Sequence, residues 1–381
     1  VCPPTRHEQE KKMKAIQWII SALVAVVIIA AAVGGGVYFT RLKSIHSIRK
    51  LTDYEDYNLY RMDIDYAYDL DRLIDRGITD NQSMINAILA EALPYLPIHM
   101  KAPNFGCSAF CTQGTDGHTL MGRNYDFKRD TSAMLVYCTP KDGYKSVALA
   151  ALDNISANQP DISMAKKLAC LTAPFICLDG MNEKGVSIAV LTLDSDPTYQ
   201  QTGKPMIATT LAIRLVLDRA ATTAEAVELL SKYDMFASSG RDYHFYITDA
   251  SGDGRVLEYD CNDPARPLTA TPSRSVTNFF VMYKDNVLPN QRNGVYGHGR
   301  ERYDAIEEIL DANAGSIDRE IAWQALQAAS QAPNPKDVTS NTQWSILYDN
   351  TALTAEAVIR RDWNTKTSYD LVSNVAVTDV G

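Results

Sequence analysis

The chain has 381 residues, of which 46% are hydrophobic, and a formal net charge of −9 at pH 7. A chain of this length can bury a large globular core and still carry an additional segment. The acidic balance argues against nucleic acid as the main partner, and the sequence has no basic patch with interleaved aromatic residues.

The first segment in chain order is a charged tail, 1–14, followed by an apolar run, 15–40, that carries no charge. A helix needs about 20 apolar residues to cross a membrane, whereas the apolar core of a cleaved signal peptide has about 7–15. We therefore expect a cytoplasmic tail and one transmembrane helix in 1–40. Basic residues flank the run on both sides, so the short tail alone suggests that the rest of the chain lies outside the cytoplasm.

Residues 41–106 are predicted to be largely helical, as a linker or propeptide-like segment. The stretch Tyr54–Arg76 is rich in Tyr, Leu, Ile and Asp, and Ser83–Leu93 has apolar residues at helical spacing after a cap at Asp80 or Ser83. Prolines then break the pattern just before Cys107, as suits a connector that is cut: Pro94, Pro97 and Pro103.

A hairpin is predicted from Cys107 onward. Cys107–Thr112 and Thr119–Arg123 flank the turn dipeptide Asp116-Gly117, which places Cys107 opposite residues near Asp126. A thiol, a guanidinium and a carboxylate thus meet at one sheet end. Because side chains alternate along a strand, Arg123 and Asp126 can both reach the thiol only across a bulge. We expect that bulge near Asn124.

The rest of the chain alternates strand and helix patterns. We predict strands at 147–152 and 186–191, helices at 206–217 and 223–233, a hairpin at 243–247 and 255–259, helices at 302–310 and 320–330, and a hairpin at 344–348 and 357–360. This order predicts an α+β protein with segregated layers.

Four motifs in this order resemble the choloylglycine hydrolase and penicillin V acylase family. These linear amide hydrolases belong to the N-terminal-nucleophile (Ntn) hydrolases. The motifs are Gly106-Cys107 with Gly122–Phe127, the turn Asp179–Gly185, the strand end Val276–Asn278 and the segment Ser340–Ser345. The resemblance covers roughly Gly106 to the C-terminus. It implies an Ntn catalytic domain at 107–381 with a four-layer αββα sandwich.

The resemblance also implies a mechanism. Cleavage of Gly106–Cys107 would make Cys107 the first residue, so that its thiol is the nucleophile and its own α-amino group the base. An α-amino group has a pKa of about 7.7–8.0, which suits a general base at neutral pH. Arg123 would then position the thiolate and lower its pKa, and Asp126 would orient the α-amino group.

The remaining site residues are also carried over from the family. Asn278 would donate to the oxyanion of the tetrahedral intermediate, and Arg302 matches the family's second arginine. The family often has an asparagine where this chain has Thr192, so a backbone N–H could supply the second oxyanion donor instead. Asn182 is a further candidate for an oxyanion or substrate contact, although the sequence favours a role in shaping the turn over contact with substrate.

Three alternatives stay open from the sequence. A Cys–His thiol hydrolase could use His118, His244 or His298, and a non-catalytic cell-surface binding protein could retain the fold. The stretch Asp249–Asp260 superficially fits a calcium loop but lacks the closing Glu, so a hairpin is preferred. We expect no metal or cofactor, and we prefer an N-acyl amide or penicillin-type substrate to a bile salt. The sequence does not indicate the oligomeric state.

The cysteines give no disulfide pattern. There are seven of them and no CxxC motif. Cys107 and Cys111 would lie about 13 Å apart on one strand face, which is too far for a disulfide. Most of the cysteines are therefore expected to be small buried hydrophobic residues.

Overall fold

The computed structural model describes residues 18, 21, 24–25, 34–94, 106–127, 131–159, 161–292, 294–334 and 341–380. The strands in these ranges are β1 (Arg49–Lys50), β2 (Leu59–Ile64), β3 (Gly106–Gln113), β4 (Thr119–Phe127), β5 (Ala133–Cys138), β6 (Ser146–Ala151), β7 (Cys177–Asn182), β8 (Ser187–Leu193), β9 (Met206–Ala208), β10 (Asp234–Phe236), β11 (Asp242–Thr248), β12 (Arg255–Tyr259), β13 (Leu268–Pro272), β14 (Ser275–Val276), β15 (Asn341–Asp349), β16 (Thr354–Ile359), β17 (Thr365–Asp370) and β18 (Val375–Val380).

A helical segment at 34–46, α1, precedes the first strand. The other α-helices in the described ranges are α2 (Leu70–Asp75), α3 (Asn81–Ala92), α4 (Met164–Ala169), α5 (Thr209–Arg219), α6 (Thr223–Leu230), α7 (Arg300–Ala312) and α8 (Arg319–Ala329). Short 3₁₀ turns connect several elements.

Two large sheets form the centre of the fold. One has nine strands in the order β1-β2-β5-β6-β7-β8-β11-β12-β13, and the other has seven in the order β14-β3-β4-β15-β16-β17-β18. Almost all neighbours are antiparallel, but β2 runs parallel to β5. A small parallel pair, β9 with β10, stands apart from both.

Helices cover both sheets. Helix α5 packs on β7 and β8, whereas α7 and α8 pack on β3, β4, β14 and β15 of the other sheet; β3 meets β8 between them. This is a helix–sheet–sheet–helix order, because each sheet has one face toward the other sheet and one toward helices. The mixed α/β architecture expected from the sequence is confirmed.

Local sequence patterns account for the elements that were predicted well. The hairpin of β11 and β12 forms around Asp253-Gly254, where a calcium loop was the alternative. Helix α6 begins where expected, because Thr222 Oγ1 accepts a hydrogen bond from Glu225 N at 3.1 Å. Helix α3 begins with Asp80 as its cap in a capping box with Ser83.

The expectation of a largely helical 41–106 is wrong for its centre. Leu59–Ile64 forms β2, which lies between β1 and β5 in the nine-stranded sheet. Its apolar residues follow no clear period of 2 because nearly the whole strand is buried, and a short buried strand cannot be told from a buried helix by periodicity. The domain division 1–40, 41–106 and 107–381 stays a prediction.

The predicted membrane span, 15–40, lies largely outside the described residues. In the ranges that the structure does describe, no helix is both long and apolar enough to cross a membrane. The proline-rich connector at 95–105 likewise lies outside the described residues.

Candidate active site

The candidate site lies at the start of the β3–β4 hairpin. The register pairs Cys107 with Tyr125 and Gly106 with Asp126, close to the pairing expected from a turn at Asp116-Gly117. Gly117 adopts a φ of +81° in that turn, a conformation that glycine reaches without a steric penalty. Cys107 itself is fully buried.

Arg123 binds the thiol from the neighbouring strand. It pairs with Ala109, so alternation places its side chain on the same face as that of Cys107. Its Nη1 donates to Cys107 Sγ at 2.9 Å, and its Nη2 donates to Val190 O at 3.0 Å. Its Nε lies 2.6 Å from Asp179 Oδ2. The guanidinium is thus fixed against the thiol by partners on β7 and β8.

Asp126 lies on the opposite face of β4. Its carboxylate accepts hydrogen bonds from Thr342 Oγ1 and Gln331 Nε2, both at 2.6 Å. Arg302 Nη1 lies 3.4 Å from Asp126 Oδ2. Asp126 is therefore joined to Cys107 through Arg302.

The bulge expected near Asn124 is wrong. Strands β3 and β4 pair without a register shift over their whole length. The irregularity occurs on the other side of β4, where β15 shifts register between Thr342 and Trp344. Strict alternation therefore holds, and Arg123 and Asp126 point to opposite faces.

Asn278 and Arg302 bind the backbone of Cys107. Asn278 follows β14, the neighbour of β3, and its Oδ1 accepts a hydrogen bond from Cys107 N at 3.2 Å. Arg302 Nη1 donates to Cys107 O at 2.9 Å, and its Nη2 donates to Asn278 Oδ1 at 2.7 Å. The backbone N–H and C=O of Cys107 are thus each held by a side chain.

A glycine allows Arg302 to reach the site. Helix α7 begins after Gly299, which has a φ of +88°. A Cβ at Gly299 would collide with the guanidinium of Arg302. Both the backbone conformation and the close approach therefore require glycine at this position.

Burial dominates the electrostatics of the thiol. It raises the pKa of Cys107 to about 11, and Arg123 opposes that rise. The expected direction of the Arg123 effect is present, but desolvation of the thiolate is larger. In this arrangement Cys107 rests as a neutral thiol at neutral pH and needs a base to become a nucleophile.

Thr192 lies close to this constellation and Asn182 does not. Thr192 O accepts a hydrogen bond from Asn278 Nδ2 at 2.8 Å. Thr192 Oγ1 is buried and has no hydrogen-bond partner among the described residues.

Asn182 uses its side chain to join a turn to the end of α5. Its Nδ2 donates to Leu217 O and Ala220 O, and its Oδ1 accepts from Lys184 N and Val186 N. These four bonds fill the capacity of the amide. This geometry favours the turn-shaping interpretation of Asn182, and its oxyanion or substrate role stays a prediction.

Sequence reasoning missed the residues that support Arg123 and Asp126. Asp179 was part of a recognised motif, but its contact with Arg123 was not foreseen. A carboxylate inside the otherwise apolar strand Cys177–Met181 was the available signal, because a buried charge needs a partner. Thr342 also lay in a recognised motif, Ser340–Ser345, without its contact being foreseen, and Gln331 gave no comparable signal.

The three candidate histidines are engaged elsewhere. His244 places Nδ1 3.0 Å from Glu258 Oε1 and Nε2 3.0 Å from Thr277 O. His118 Nδ1 lies 2.8 Å from Asp349 Oδ2. His298 also has a carboxylate partner, Asp194. The geometry therefore gives the Cys–His alternative no support.

Metal and disulfide chemistry can be assessed in the described ranges. There, no group of three or more His, Cys, Asp or Glu side chains is arranged to hold a metal ion. The described cysteines are free thiols: Cys107, Cys111, Cys138, Cys170, Cys177 and Cys261.

The two-sheet αββα core, with Cys107 near the start of β3, forms an Ntn-hydrolase-like fold. Solved structures share the fold. Two variants of conjugated bile acid hydrolase from Clostridium perfringens match with TM-scores of 0.53 and 0.52, each at 16% identity over 72% of this chain and 97% of theirs. Penicillin V acylase from Agrobacterium tumefaciens matches with a TM-score of 0.50 at 17% identity, over 70% of this chain and 86% of its own.

The family follows from the sequence comparison. Residues 107–263 match the family described as linear amide C–N hydrolases, choloylglycine hydrolase family. The predicted resemblance to this family is confirmed over residues 107–263. The match begins at Cys107, the first residue of the predicted catalytic domain. Family and fold together indicate an amidohydrolase.

Proposed function

We propose that this protein hydrolyses the C–N bond of a linear carboxamide, with Cys107 as an N-terminal nucleophile released by cleavage of Gly106–Cys107. One observation carries the proposal. The thiol, the backbone N–H and the backbone C=O of Cys107 are each bound by a separate polar side chain: Arg123, Asn278 and Arg302. A structural cysteine in a buried strand needs no guanidinium at its sulfur, and its backbone groups are usually bound by neighbouring backbone and not by side chains.

Self-cleavage is the first step of the proposal. The Cys107 thiol attacks the carbonyl carbon of Gly106, the peptide nitrogen of Cys107 leaves as a free amine, and water hydrolyses the resulting thioester. Gly106 pairs with Asp126 at the start of β3, so the bond to be cut lies at the end of a sheet. The new α-amino group would lie within reach of Asn278 Oδ1, which already binds the same nitrogen.

The second step is amide hydrolysis. The α-amino group takes the proton of the Cys107 thiol, and the sulfur attacks the substrate carbonyl carbon. The tetrahedral intermediate collapses, the amine leaves with the proton from the α-ammonium group, and water frees the acid from the thioester. A base is required because burial raises the pKa of Cys107 to about 11 in the uncut chain, and cleavage places the α-amino group on the same residue as the thiol.

Two groups are available for the oxyanion. Asn278 Nδ2 donates one hydrogen to Thr192 O, and an amide nitrogen carries a second. Thr192 Oγ1 has no partner among the described residues. A lost oxyanion donor typically costs a factor of about 10²–10³ in kcat.

The proposal also covers the substrate, the location of the protein and the roles of 15–40 and 41–106. An N-acyl amide or a penicillin-type side chain is preferred to a conjugated bile salt. The protein would be anchored by 15–40 with its catalytic part outside the cytoplasm, and 41–106 would precede the cleavage site. Hydrolysis assays with all three substrate classes test the substrate, and activity on none of them would contradict this part.

Processing is tested by intact mass and N-terminal sequencing of the wild type, Cys107→Ala and Cys111→Ala. Cys111 is a matched control, because it is buried on the same strand but its sulfur binds Thr248 Oγ1. We expect a new N-terminus at Cys107 in the wild type and in Cys111→Ala, and none in Cys107→Ala. A single uncut, inactive wild-type chain would contradict the proposal and favour a binding protein that retains the fold.

A further inference from the structure

The guanidinium that binds the nucleophile also belongs to a buried ion pair. Arg123 Nε lies 2.6 Å from Asp179 Oδ2, and both side chains are fully buried. Asp179 is held in turn by β15: Tyr348 Oη donates to its Oδ1 at 2.6 Å, and Trp344 Nε1 donates to its Oδ2 at 3.2 Å. Every interaction of this carboxylate thus either fixes it or connects it to Arg123.

The donor geometry shows how Asp179 orients Arg123. Nη1 of Arg123 donates to Cys107 Sγ and to Asn124 O, at 2.9 and 2.7 Å, and Nη2 donates to Val190 O at 3.0 Å. Nε lies 2.6 Å from Asp179 Oδ2 in an ion pair, although its N–H has no hydrogen-bond partner among the described residues. An ion pair at the Nε edge of a planar guanidinium restrains the direction of Nη1 as well, and Nη1 is the nitrogen that reaches the thiol.

The charges of the three groups are coupled. A buried arginine beside an ionised carboxylate is close to neutral as a pair, so it attracts a thiolate less than a lone guanidinium would. Burial raises the pKa of Asp179, and Arg123, Tyr348 and Trp344 oppose that rise. These donors therefore favour the ionised carboxylate, and with it a neutral thiol at Cys107.

Resting on the proposed function, we propose that Asp179 is a positioning residue of the active site, which aims Arg123 at the thiol and neutralises its charge. Cys107 then stays protonated until its α-amino group accepts the proton. Asp179 does not touch the sulfur; it acts through Arg123.

Other charged and titratable groups lie around the sulfur and are unchanged by this test. They are Arg123, Tyr125 and Asp126 on β4, Tyr243 on β11 and Arg302 on α7. When Asp179 is replaced, we expect the titration of the thiol to change only because Arg123 has lost its compensating negative charge.

The test is the pH dependence of alkylation of Cys107 by iodoacetamide, read by mass spectrometry of the Cys107 peptide, in wild type and Asp179→Asn. The amide keeps the shape of the carboxylate and an oxygen beside Arg123 Nε, so the aim of Arg123 is retained while the negative charge is removed. Arg123 then lacks the compensating negative charge of Asp179. We therefore expect Cys107 to be alkylated at least about tenfold faster at neutral pH, and the rising limb of the curve of alkylation rate against pH to move to lower pH. An unchanged limb, or one moved to higher pH, would overturn the proposal.

Asp218→Asn is the matched control. Arg214 and Asp218 form another buried pair, 2.7 Å apart, and Tyr68 donates to Asp218 as Tyr348 does to Asp179. This variant should carry a similar folding penalty but should leave the pH dependence of Cys107 alkylation unchanged. An equal shift in Asp218→Asn would mean that general loosening, and not the charge on Arg123, moves the titration.

A second variant keeps the proposal testable if Asp179→Asn does not fold. Tyr348→Phe removes one hydrogen bond that favours the ionised carboxylate, and it should move the limb in the same direction by less. The alkylation profile can be measured on processed or unprocessed chain. A failed self-cleavage would therefore refute the proposed function without deciding the role of Asp179, whereas an unmoved limb refutes only the latter.

Discussion

Strand β2 should keep the segment before the cleavage site bound to the catalytic part after processing. It pairs in parallel with β5 over six residues, from Leu59 with Ala133 to Ile64 with Cys138. Leu59 and Met62 are 0% exposed, and Ile64 is 3% exposed. A cut at Gly106–Cys107 breaks one covalent bond and leaves this strand inside the nine-stranded sheet.

The expected strength follows from the buried side chains. Each of Leu59, Met62 and Ile64 gains about 1.5–3 kcal/mol on burial, or about 5–9 kcal/mol together. Association offsets several kcal/mol of such a gain, and a net binding free energy of about 8 kcal/mol corresponds to a micromolar dissociation constant. Further buried residues of the same segment add to it: Leu70, Leu73, Ile74, Met84 and Ile88.

The assay compares size-exclusion chromatography at micromolar protein with denaturing electrophoresis. Processed wild type should elute as one species and separate into two pieces only when denatured. Leu59→Ala or Met62→Ala should each lower the free energy of unfolding by about 2–5 kcal/mol and release part of the N-terminal piece. Glu55→Ala, at an exposed position of the same segment, is the control and should change neither.

The reasoning is refuted if the N-terminal piece separates under native conditions while the remaining chain stays folded and active. A further contradiction would be a Leu59→Ala protein with unchanged stability in urea. That result would mean that β2 does not contribute to the core in solution.

Three further predictions concern single residues. Thr192→Val should lower kcat by about 10²–10³ if its hydroxyl donates to the oxyanion, with an unchanged Tm because Oγ1 has no hydrogen-bond partner among the described residues; an unchanged kcat would exclude the role. Asn182→Ala should lower the Tm, because it leaves buried backbone groups unpaired, with unchanged kcat per folded molecule; a selective loss of kcat would contradict this. Asp349 raises the pKa of His118, so the stability that His118 contributes should be full below about pH 6.5 and lost as pH rises through the higher folded value. The Tm difference between wild type and His118→Gln, measured from acid to alkaline pH, should therefore shrink as pH increases, and a difference that grows would refute it.

Residues near each other in sequence were the easiest to place. The β3–β4 hairpin followed from a turn dipeptide between two β-compatible runs, and the observed register differs from the expected one by a single residue at Cys107. The helices α6 and α7 followed from a cap and from apolar spacing. These features depend on interactions over a few residues, which a local pattern records.

Errors arose where local patterns were ambiguous or a partner was distant. The strand β2 was taken as helix because a short buried run has no distinctive period. A bulge was assumed near Asn124 so that Asp126 could reach the thiol, whereas Asp126 is connected to Cys107 through Arg302, which binds the backbone carbonyl of Cys107. The predicted membrane span and the roles of the site residues in catalysis stay predictions.

The sequence by itself indicated the family, the candidate nucleophile Cys107 and some of the polar residues near it (Arg123, Asp126, Asn278 and Arg302), because motif residues and turns are read along the chain. Only the tertiary structure decided which of them meet. Because side chains alternate along β4, Arg123 faces the thiol and Asp126 lies on the opposite face, where Gln331 binds it. The pairing of strands that are distant in sequence places Asp179 beside Arg123. Such contacts depend on the register of whole sheets, and a register shift of one residue would exchange the two faces.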